Sequence, residues 1–128
     1  PEPNLFGRDA LETALIEAHH RHIEFELHSS IGAAWINGPV VAAAGLVKPI
    51  EEQRLRGEAL TRKYYQRMDE ELATCHFIAG ERFSVADISA LCMIDFAAAR
   101  VDLRPDNALQ HLWAWHSRVS QRSSIRQS

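Results

Sequence analysis

Cysteine is scarce in this sequence, with only Cys75 and Cys92 among 128 residues. Cys92 lies within the apolar run at 88–94, so we expect a small buried side chain rather than half of a disulfide bridge. This usage fits a reducing environment, and we expect a cytoplasmic protein.

Basic clusters and long apolar runs are also missing. The 14 lysines and arginines are spread among 17 acidic residues, giving a formal net charge of −3, which disfavours binding to nucleic acid. No stretch approaches the ~20 uninterrupted apolar residues that span a membrane, and no secretory pattern opens the chain. We therefore expect neither a nucleic-acid partner nor a membrane partner.

Sustained alternation of polar and β-branched residues, which marks β-strands, is absent. The chain is 46% hydrophobic and 24% charged, enough for one core, and we expect an all-α helical bundle. We divide it into a linker remnant at 1–8, a helical domain at 9–122 and a polar tail at 123–128. Since the linker begins without a methionine, we expect another segment to precede it.

The first predicted helix carries two apolar stripes and begins at Asp9, a candidate N-cap. A helix with two apolar stripes buries both, so we expect one stripe to pack against the core of this domain and the other against another domain or subunit. The helix ends at Gly38-Pro39, and an apolar connector at 40–47 follows. The first stripe contains Leu11, Leu15, Ala18, His22 and Phe25, and the second Ile16, Ile23 and Leu27.

Two further helices follow from periodicity. A long helix from about Ile50 to Thr74 carries an apolar stripe that includes Leu60, Tyr64 and Met68, and we expect it to be a main structural column. Asn107 can cap a last helix, whose Trp113 we assign to core packing rather than to a ligand platform.

Residues 80–88, Gly-Glu-Arg-Phe-Ser-Val-Ala-Asp-Ile, contain the most specific motif. Ser84 and Asp87 have the N-cap and N3 spacing of a capping box, in which each side chain accepts a hydrogen bond from the backbone of the other. Phe83 and Ile88 have the spacing of a hydrophobic staple. The motif therefore predicts a capped central helix from Val85 to about Ala99, running through the core.

This motif resembles the one that opens the central helix of the C-terminal domain of glutathione S-transferases. The likeness extends to the Pro-x-Pro-x-Leu-x-Gly linker at 1–7, to the order and lengths of the predicted helices, and to Trp115 and Arg118 in the closing segment. It covers nearly the whole chain and implies the helical bundle of that domain.

The resemblance implies a detoxifying enzyme whose preceding thioredoxin-like domain binds the co-substrate glutathione and stabilises its thiolate. That domain and the catalytic residue are outside this chain, so we expect the chain alone to be inactive. The partners that it implies are the thioredoxin-like domain, a second subunit in a homodimer, and a small apolar electrophile.

In this family the end of the first helix and the connector after it supply walls of the substrate pocket. The resemblance therefore assigns the pocket to five residues, Ser29, Ser30, Ala33, Trp35 and Ile36, with the apolar connector as a further candidate. A non-catalytic docking module is the alternative function, since the same helical fold serves in translation-factor and synthetase assemblies.

Two other chemical interpretations are disfavoured. His19 and His22 are close enough on a helix to share a metal, but no CxxC or HExxH pattern supplies the remaining ligands, so we expect no metal site. His28 and Ser29 could belong to a hydrolytic triad, but no Gly-x-Ser-x-Gly elbow accompanies them.

Overall fold

The computed structural model describes residues 4–122, which contain helices and no strand. The prediction of an all-α bundle is confirmed. The first three residues of the linker and the polar tail at 123–128 lie outside the described residues. The helices are α1 (Ala10–His22), a π-helical segment (Ile23–His28), α2 (Ser29–Ile36), α3 (Pro39–Ala44), α4 (Glu51–Leu72), α5 (Val85–Arg100) and α6 (Gln110–Ser120).

The first three segments form one continuous helical column, because the junction residues Ile23 and Ser29 keep right-handed helical backbone angles. The second stripe of the column faces the core, where Ile23 and Leu27 are buried. The first stripe stays at the surface, and Leu11 and Phe25 are each 72% exposed. The column therefore presents apolar side chains to solvent along its outer side.

Helix α4 packs into the core partly through the stripe that the sequence predicted, since Met68 and Leu72 are buried. Tyr65 is buried and donates a hydrogen bond to the Leu103 carbonyl at 2.8 Å, whereas Leu60 is 44% exposed and Tyr64 is half-buried. The predicted inward position of Leu60 is wrong, whereas Tyr64 packs partly against the core. The contact with the helical column uses small residues, including Gly57 and Thr61, because they let the two backbones approach closely.

The capping box at the start of α5 is present. The Ser84 hydroxyl accepts from the Ala86 amide at 3.3 Å, and the Asp87 carboxylate accepts from the Ser84 amide at 2.9 Å. Asp87 also accepts from the Ile78 amide at 3.0 Å and from the Trp115 indole at 2.8 Å. One buried carboxylate therefore joins the loop before α5, the cap of α5 and helix α6.

Burial raises the pKa of the Asp87 carboxyl, although its hydrogen bonds act in the opposite direction. Phe83 is also buried and meets the Phe77 ring edge-to-face, with centroids 6.1 Å apart. The staple between Phe83 and Ile88 stays a prediction.

Two local expectations are wrong. Cys92 is exposed, because α5 buries one side through residues such as Leu91 and Ile94 and turns the other to solvent. Asn107 does not cap the last helix, which begins at Gln110. The Leu112 amide in its first turn is instead bonded at 2.8 Å by a carboxylate of α4, Asp69.

The connector after α2 contains a short helix, α3, which has Pro39 at its first position and ends at Gly45 in the left-handed conformation. Asn37 closes the base of this connector. Its amide nitrogen donates to the Ala33 carbonyl at 2.9 Å, and its amide oxygen accepts from the Ile50 amide at 3.0 Å. The two ends of the connector are thereby held together although its apolar residues are largely exposed.

Replacing Asn37 with alanine is expected to loosen the connector, because the Ile50 amide loses its partner at a cost of about 1–2 kcal/mol. Digestion with thermolysin should then cleave within 38–49 faster than in the parent chain. The matched control is Asn107→Ala, which removes only an exposed bond from Arg104 and should leave that cleavage rate unchanged. Equal rates in Asn37→Ala and the parent would contradict the role of this side chain.

Candidate functional site

A groove of about 710 Å³ runs between the helical column and α4. Its first wall comes from the π-helical segment and α2, and its second wall from one side of α4. The lining residues are Phe25, Glu26, Ser29, Ser30 and Ala33 on the first wall, and Gln53, Arg56, Gly57, Leu60, Lys63, Tyr64 and Arg67 on the second.

At the floor of the groove the two walls are in close contact. A Cβ atom on Gly57 would lie only 2.5 Å from the Ser30 carbonyl oxygen, so the helices touch backbone to backbone there. The Thr61 hydroxyl donates to the Gly57 carbonyl at 2.8 Å. The Ser30 hydroxyl lies 2.9 Å from the Thr61 hydroxyl and donates to the Leu27 carbonyl at 3.0 Å. Both hydroxyls are therefore committed to structure, and neither is placed as a nucleophile.

The π-helical segment shapes the first wall. A π-helix adds residues to each turn and is often found at functional sites. Within this segment Phe25 turns outward to the groove while its neighbours Ile23 and Leu27 stay in the core. The groove thus gains an exposed aromatic ring without loss of core packing.

The second wall is basic. Arg56, Lys63 and Arg67 line it, and Glu26 opposite forms an ion pair with Arg67. The Arg67 guanidinium also lies 4.9 Å from the centroid of the Tyr64 ring. Burial raises the pKa of Tyr64 to about 12, so its phenol stays protonated at neutral pH.

Of the five residues that the sequence assigned to the pocket, three line the groove and two do not. Ser29, Ser30 and Ala33 line the groove. Trp35 does not; it borders a cavity of about 70 Å³ and meets the Phe96 ring edge-to-face at 5.4 Å. Ile36 lines neither space and is 48% exposed.

Sequence reasoning missed the α4 wall. The available signal was the spacing of Arg56, Leu60, Lys63 and Arg67 at steps of three and four residues, which places them on one side of a helix. That pattern is typical of a solvated face, so it could not identify a groove without knowledge of the opposing wall.

A family model described as the C-terminal domain of glutathione S-transferase matches residues 38–123. The chain belongs to this family. Its curated relative glutathione S-transferase 2 of Saccharomyces cerevisiae is 30% identical over 97% of this chain and 53% of its own length. The chain thus spans about half the length of the curated relative that it matches.

Solved structures show the same fold. The crystal structure of Gtt2 from Saccharomyces cerevisiae superimposes with a TM-score of 0.88 at 27% identity, covering 98% of this chain and 60% of its own. A glutathione S-transferase domain-containing protein from Marinobacter aquaeolei gives 0.84 at 28% identity, covering 98% and 61%. The architecture of this glutathione S-transferase C-terminal domain is therefore shared along almost its whole length.

The histidines of this domain lie apart from the groove lining. His20 lies 2.8 Å from the Ser89 hydroxyl and joins α1 to α5. The Ser29 hydroxyl donates to the Glu24 carbonyl at 3.3 Å, so it is bonded to the backbone rather than to a histidine. Between residues 4 and 122 no group of three or more His, Cys, Asp or Glu side chains could hold a metal ion.

Neither tryptophan of α6 lines the groove. Trp115 is fully buried, and Trp113 stacks with the Arg104 guanidinium, 4.3 Å from the ring centroid.

In the part of the chain that the structure describes, no helix is long and apolar enough to cross a membrane.

Proposed function

We propose that this domain is part of a cytoplasmic, detoxifying glutathione S-transferase that conjugates glutathione to small electrophiles with an apolar body. The observation that carries the proposal is the match to the family, with a relative 30% identical along 97% of the chain. A preceding thioredoxin-like domain supplies the group that stabilises the glutathione thiolate, and this domain supplies part of the wall against which the electrophile rests.

The groove and its surroundings support this division of labour. Ser29, Ser30 and Ala33 form one wall of a space large enough for a small organic molecule. Their hydroxyls serve the backbone and the opposing helix, so the groove contributes shape rather than reactive groups. We assign Ile36, which is 48% exposed, to the surface that faces the other domain, whereas Trp35 packs on the Phe96 ring of α5.

The exposed stripe of the column supports the proposed partners. Leu11 and Leu15 are 72% and 46% exposed, and apolar side chains aligned along one helix mark a surface that another protein surface covers. We propose that the thioredoxin-like domain and a second subunit of a homodimer share this surface.

The linker supports the proposed domain boundary at residue 8. The Leu5 carbonyl accepts from the Val85 amide at 3.0 Å, so the linker follows a fixed path beside the start of α5. The Glu12 carboxylate accepts from the Arg8 amide at 2.9 Å and pairs with Arg82, which holds the end of the linker. A domain that precedes residue 4 would therefore leave this one in a defined direction.

The test is a glutathione-conjugation assay with an aryl halide electrophile, run on the intact protein and on this chain alone. We expect turnover in the intact protein and none in this chain, because the thiolate-stabilising group lies in the other domain. Turnover by the purified chain would contradict this assignment. Inactivity of both would favour the non-catalytic docking module, whose apolar surface would then be explained by a protein partner.

A further inference from the structure

We propose that Asp95, His116 and Ser120 form a hydrolytic triad at the surface of α5 and α6, in which Ser120 is acylated by small activated aryl esters. The reaction uses no glutathione and lies outside the groove, so it goes beyond the proposed function. The sequence alone could not indicate this triad, because Asp95 lies 21 positions before His116 and on a different helix.

The three side chains are arranged in the order in which a catalytic triad works. The Nε2 atom of His116 lies 2.7 Å from Oδ1 of Asp95, and its Nδ1 atom lies 3.4 Å from Oγ of Ser120. His116 and Ser120 are four residues apart on α6, so they share one side of that helix, and α5 supplies Asp95. The imidazole therefore lies between an acid and a hydroxyl.

The carboxylate of Asp95 sets the direction of proton transfer. An ionised carboxylate can only accept a hydrogen bond, so in neutral His116 the ring proton is on Nε2. Nδ1 then has the lone pair, and the Ser120 hydroxyl is the donor in the second contact. A hydroxyl that donates to an imidazole held by an acid is a nucleophile paired with its general base. The distance of 3.4 Å is long, but such bonds are often long without substrate.

The other serine and histidine that meet in this domain form only a pair. The Ser89 hydroxyl lies 2.8 Å from Nε2 of His20. Within residues 4–122, the histidines that contact a carboxylate are His76 and His116, and His20 is not one of them. Ser120 is therefore the serine that has both a base and an acid behind that base.

The triad is open to solvent, and the fold does not depend on it. The His116 side chain is 21% exposed and that of Asp95 is 57% exposed, and Ser120 is half-buried. An ion pair with this exposure contributes only about 0–1 kcal/mol to stability. The buried bond from the Trp115 indole to Asp87 already joins α6 to α5. The contact between Asp95 and His116 can therefore serve chemistry without loss of the fold.

The backbone beside Ser120 restricts the substrate to esters with a good leaving group. The Gln121 amide donates to the Ser117 carbonyl at 3.1 Å, so it is used by the helix. An oxyanion on the acyl carbon would then face water, and the loss of one oxyanion donor costs an enzyme about 100- to 1,000-fold in rate. We therefore expect reaction only where the leaving group is a weak base, as a nitrophenolate is.

The neighbouring ring favours an aryl ester. The Trp113 indole is half-buried, and its centroid lies 5.0 Å from that of the His116 imidazole. An aryl group beside this indole removes apolar surface from water. The aromatic contact and the nucleophile are thus presented on the same side of α6.

The reaction proceeds in two balanced steps. Oγ of Ser120 bonds the acyl carbon and gives its proton to Nδ1 of His116, and the bond from the acyl carbon to the aryl oxygen breaks as that oxygen takes the proton. Water then bonds the acyl carbon and gives a proton to Nδ1, and Oγ takes it back as the acid leaves. In both steps Asp95 stabilises the imidazolium.

The experiment incubates the chain with p-nitrophenyl acetate and without glutathione. Absorbance measures the release of p-nitrophenol, and mass spectrometry of peptides from acid-quenched samples locates the acetyl group. We expect acetyl on Ser120 in the parent chain. Ser120→Ala and His116→Gln should each lower the rate of p-nitrophenol release at least about tenfold, because each removes a group that takes part in proton transfer. The remaining rate is that of imidazoles acting alone.

Asp95→Asn separates a chemical role from a structural one. The asparagine amide can donate to Nε2, which leaves the ring proton on Nδ1, where it cannot accept from Ser120. Acetylation of Ser120 should then fall at least about tenfold, as expected when a positioning residue of the general base is lost. The melting temperature should change little, because the lost ion pair is exposed. A contact that only joined α5 to α6 would leave acetylation unchanged.

The matched control is Ser117→Ala, which removes an exposed serine of the same helix from outside the triad. Its rate should equal that of the parent chain. A parent chain without acetyl on Ser120 would overturn the proposal, and this result does not depend on any variant folding. Equal rates in Ser120→Ala and the parent chain would overturn it as well, and so would an equal loss in Ser117→Ala.

Failure of this proposal and failure of the proposed function give different results. A chain in which Ser120 stays unmodified leaves the conjugation activity of the intact protein untouched. An intact protein that hydrolyses the ester without glutathione but conjugates nothing retains the triad and loses the transferase assignment.

Discussion

Alanine at position 57 is expected to lower the free energy of unfolding by about 1–3 kcal/mol, the usual cost of overpacking a tight contact. This change in the free energy of unfolding has the opposite sign to that in an ordinary helix interior, where replacing glycine with alanine stabilises by roughly 0.5–1 kcal/mol. The added Cβ would meet the Ser30 carbonyl oxygen at 2.5 Å and the Ala34 amide nitrogen at 2.9 Å. Both are backbone atoms of α2, so one helix must move.

Glycine 32 provides the matched control within the same pair of helices. It lies in α2, and a Cβ added there would meet nothing within 4 Å. Gly32→Ala is therefore expected to raise the melting temperature slightly while Gly57→Ala lowers it, both measured by circular dichroism. Equal shifts in the two variants would show that helix propensity, and not the contact between α2 and α4, decides the outcome.

The same contact links stability to the groove. Because Gly57 forms part of the groove floor, separation of α2 from α4 also widens the space between Phe25 and Leu60. The fold therefore needs its smallest residue at the place where the two walls must remain close.

The helices that the sequence predicted best are those marked by local chemistry. Ser84 and Asp87 satisfy backbone amides within one turn, so their spacing alone identifies the start of α5. Asp9 likewise accepts from the Glu12 amide at 2.8 Å and begins α1. Local hydrogen bonds of this kind depend on a few consecutive residues and can be read from them.

Features that depend on distant residues could not be predicted in this way. At the start of α6 the Leu112 amide donates to the Asp69 carboxylate, which lies 43 positions earlier in the chain. No pattern among neighbouring residues predicts such a cap. Periodicity also placed Leu60 of α4 inward, where it is in fact 44% exposed, because a leucine outweighs the small Gly57 in any count of hydrophobic residues. In the structure small residues such as Gly57 face α2, because they permit close contact between the two backbones.

The candidate site was predictable only on its first wall. The resemblance led to Ser29, Ser30 and Ala33, which line the groove, and also to Trp35 and Ile36, which do not. The π-helical segment explains part of this difference, since it changes the direction in which later residues of the column point. The basic wall of α4 could be recognised only from the structure, which shows the helical column on the opposite side of the groove.

Asp87 is the residue at which the most separate parts of the fold meet. Its carboxylate accepts from the amides of Ile78 and Ser84 and from the indole of Trp115, and its side chain is fully buried. Three N–H donors therefore depend on one carboxylate that water cannot replace. A buried donor left without a partner costs about 1–3 kcal/mol, so the loss of this acceptor reaches well beyond the loss of a single cap.

Asp87→Ala is accordingly expected to lower the free energy of unfolding by about 3–5 kcal/mol, a large part of the 5–15 kcal/mol that typical domains have. The matched control is Asp9→Ala, which removes the same residue type from an exposed N-cap and should cost only about 1 kcal/mol. Urea unfolding followed by tryptophan fluorescence measures both. If Asp87→Ala costs no more than Asp9→Ala, its partners find other acceptors, and the carboxylate is an ordinary cap rather than the junction of α5, α6 and the preceding loop.

If Asp87→Ala is too unstable to purify, Asp87→Asn keeps one acceptor oxygen and should fall between the alanine variant and the parent chain in stability, because its amide nitrogen faces a donor.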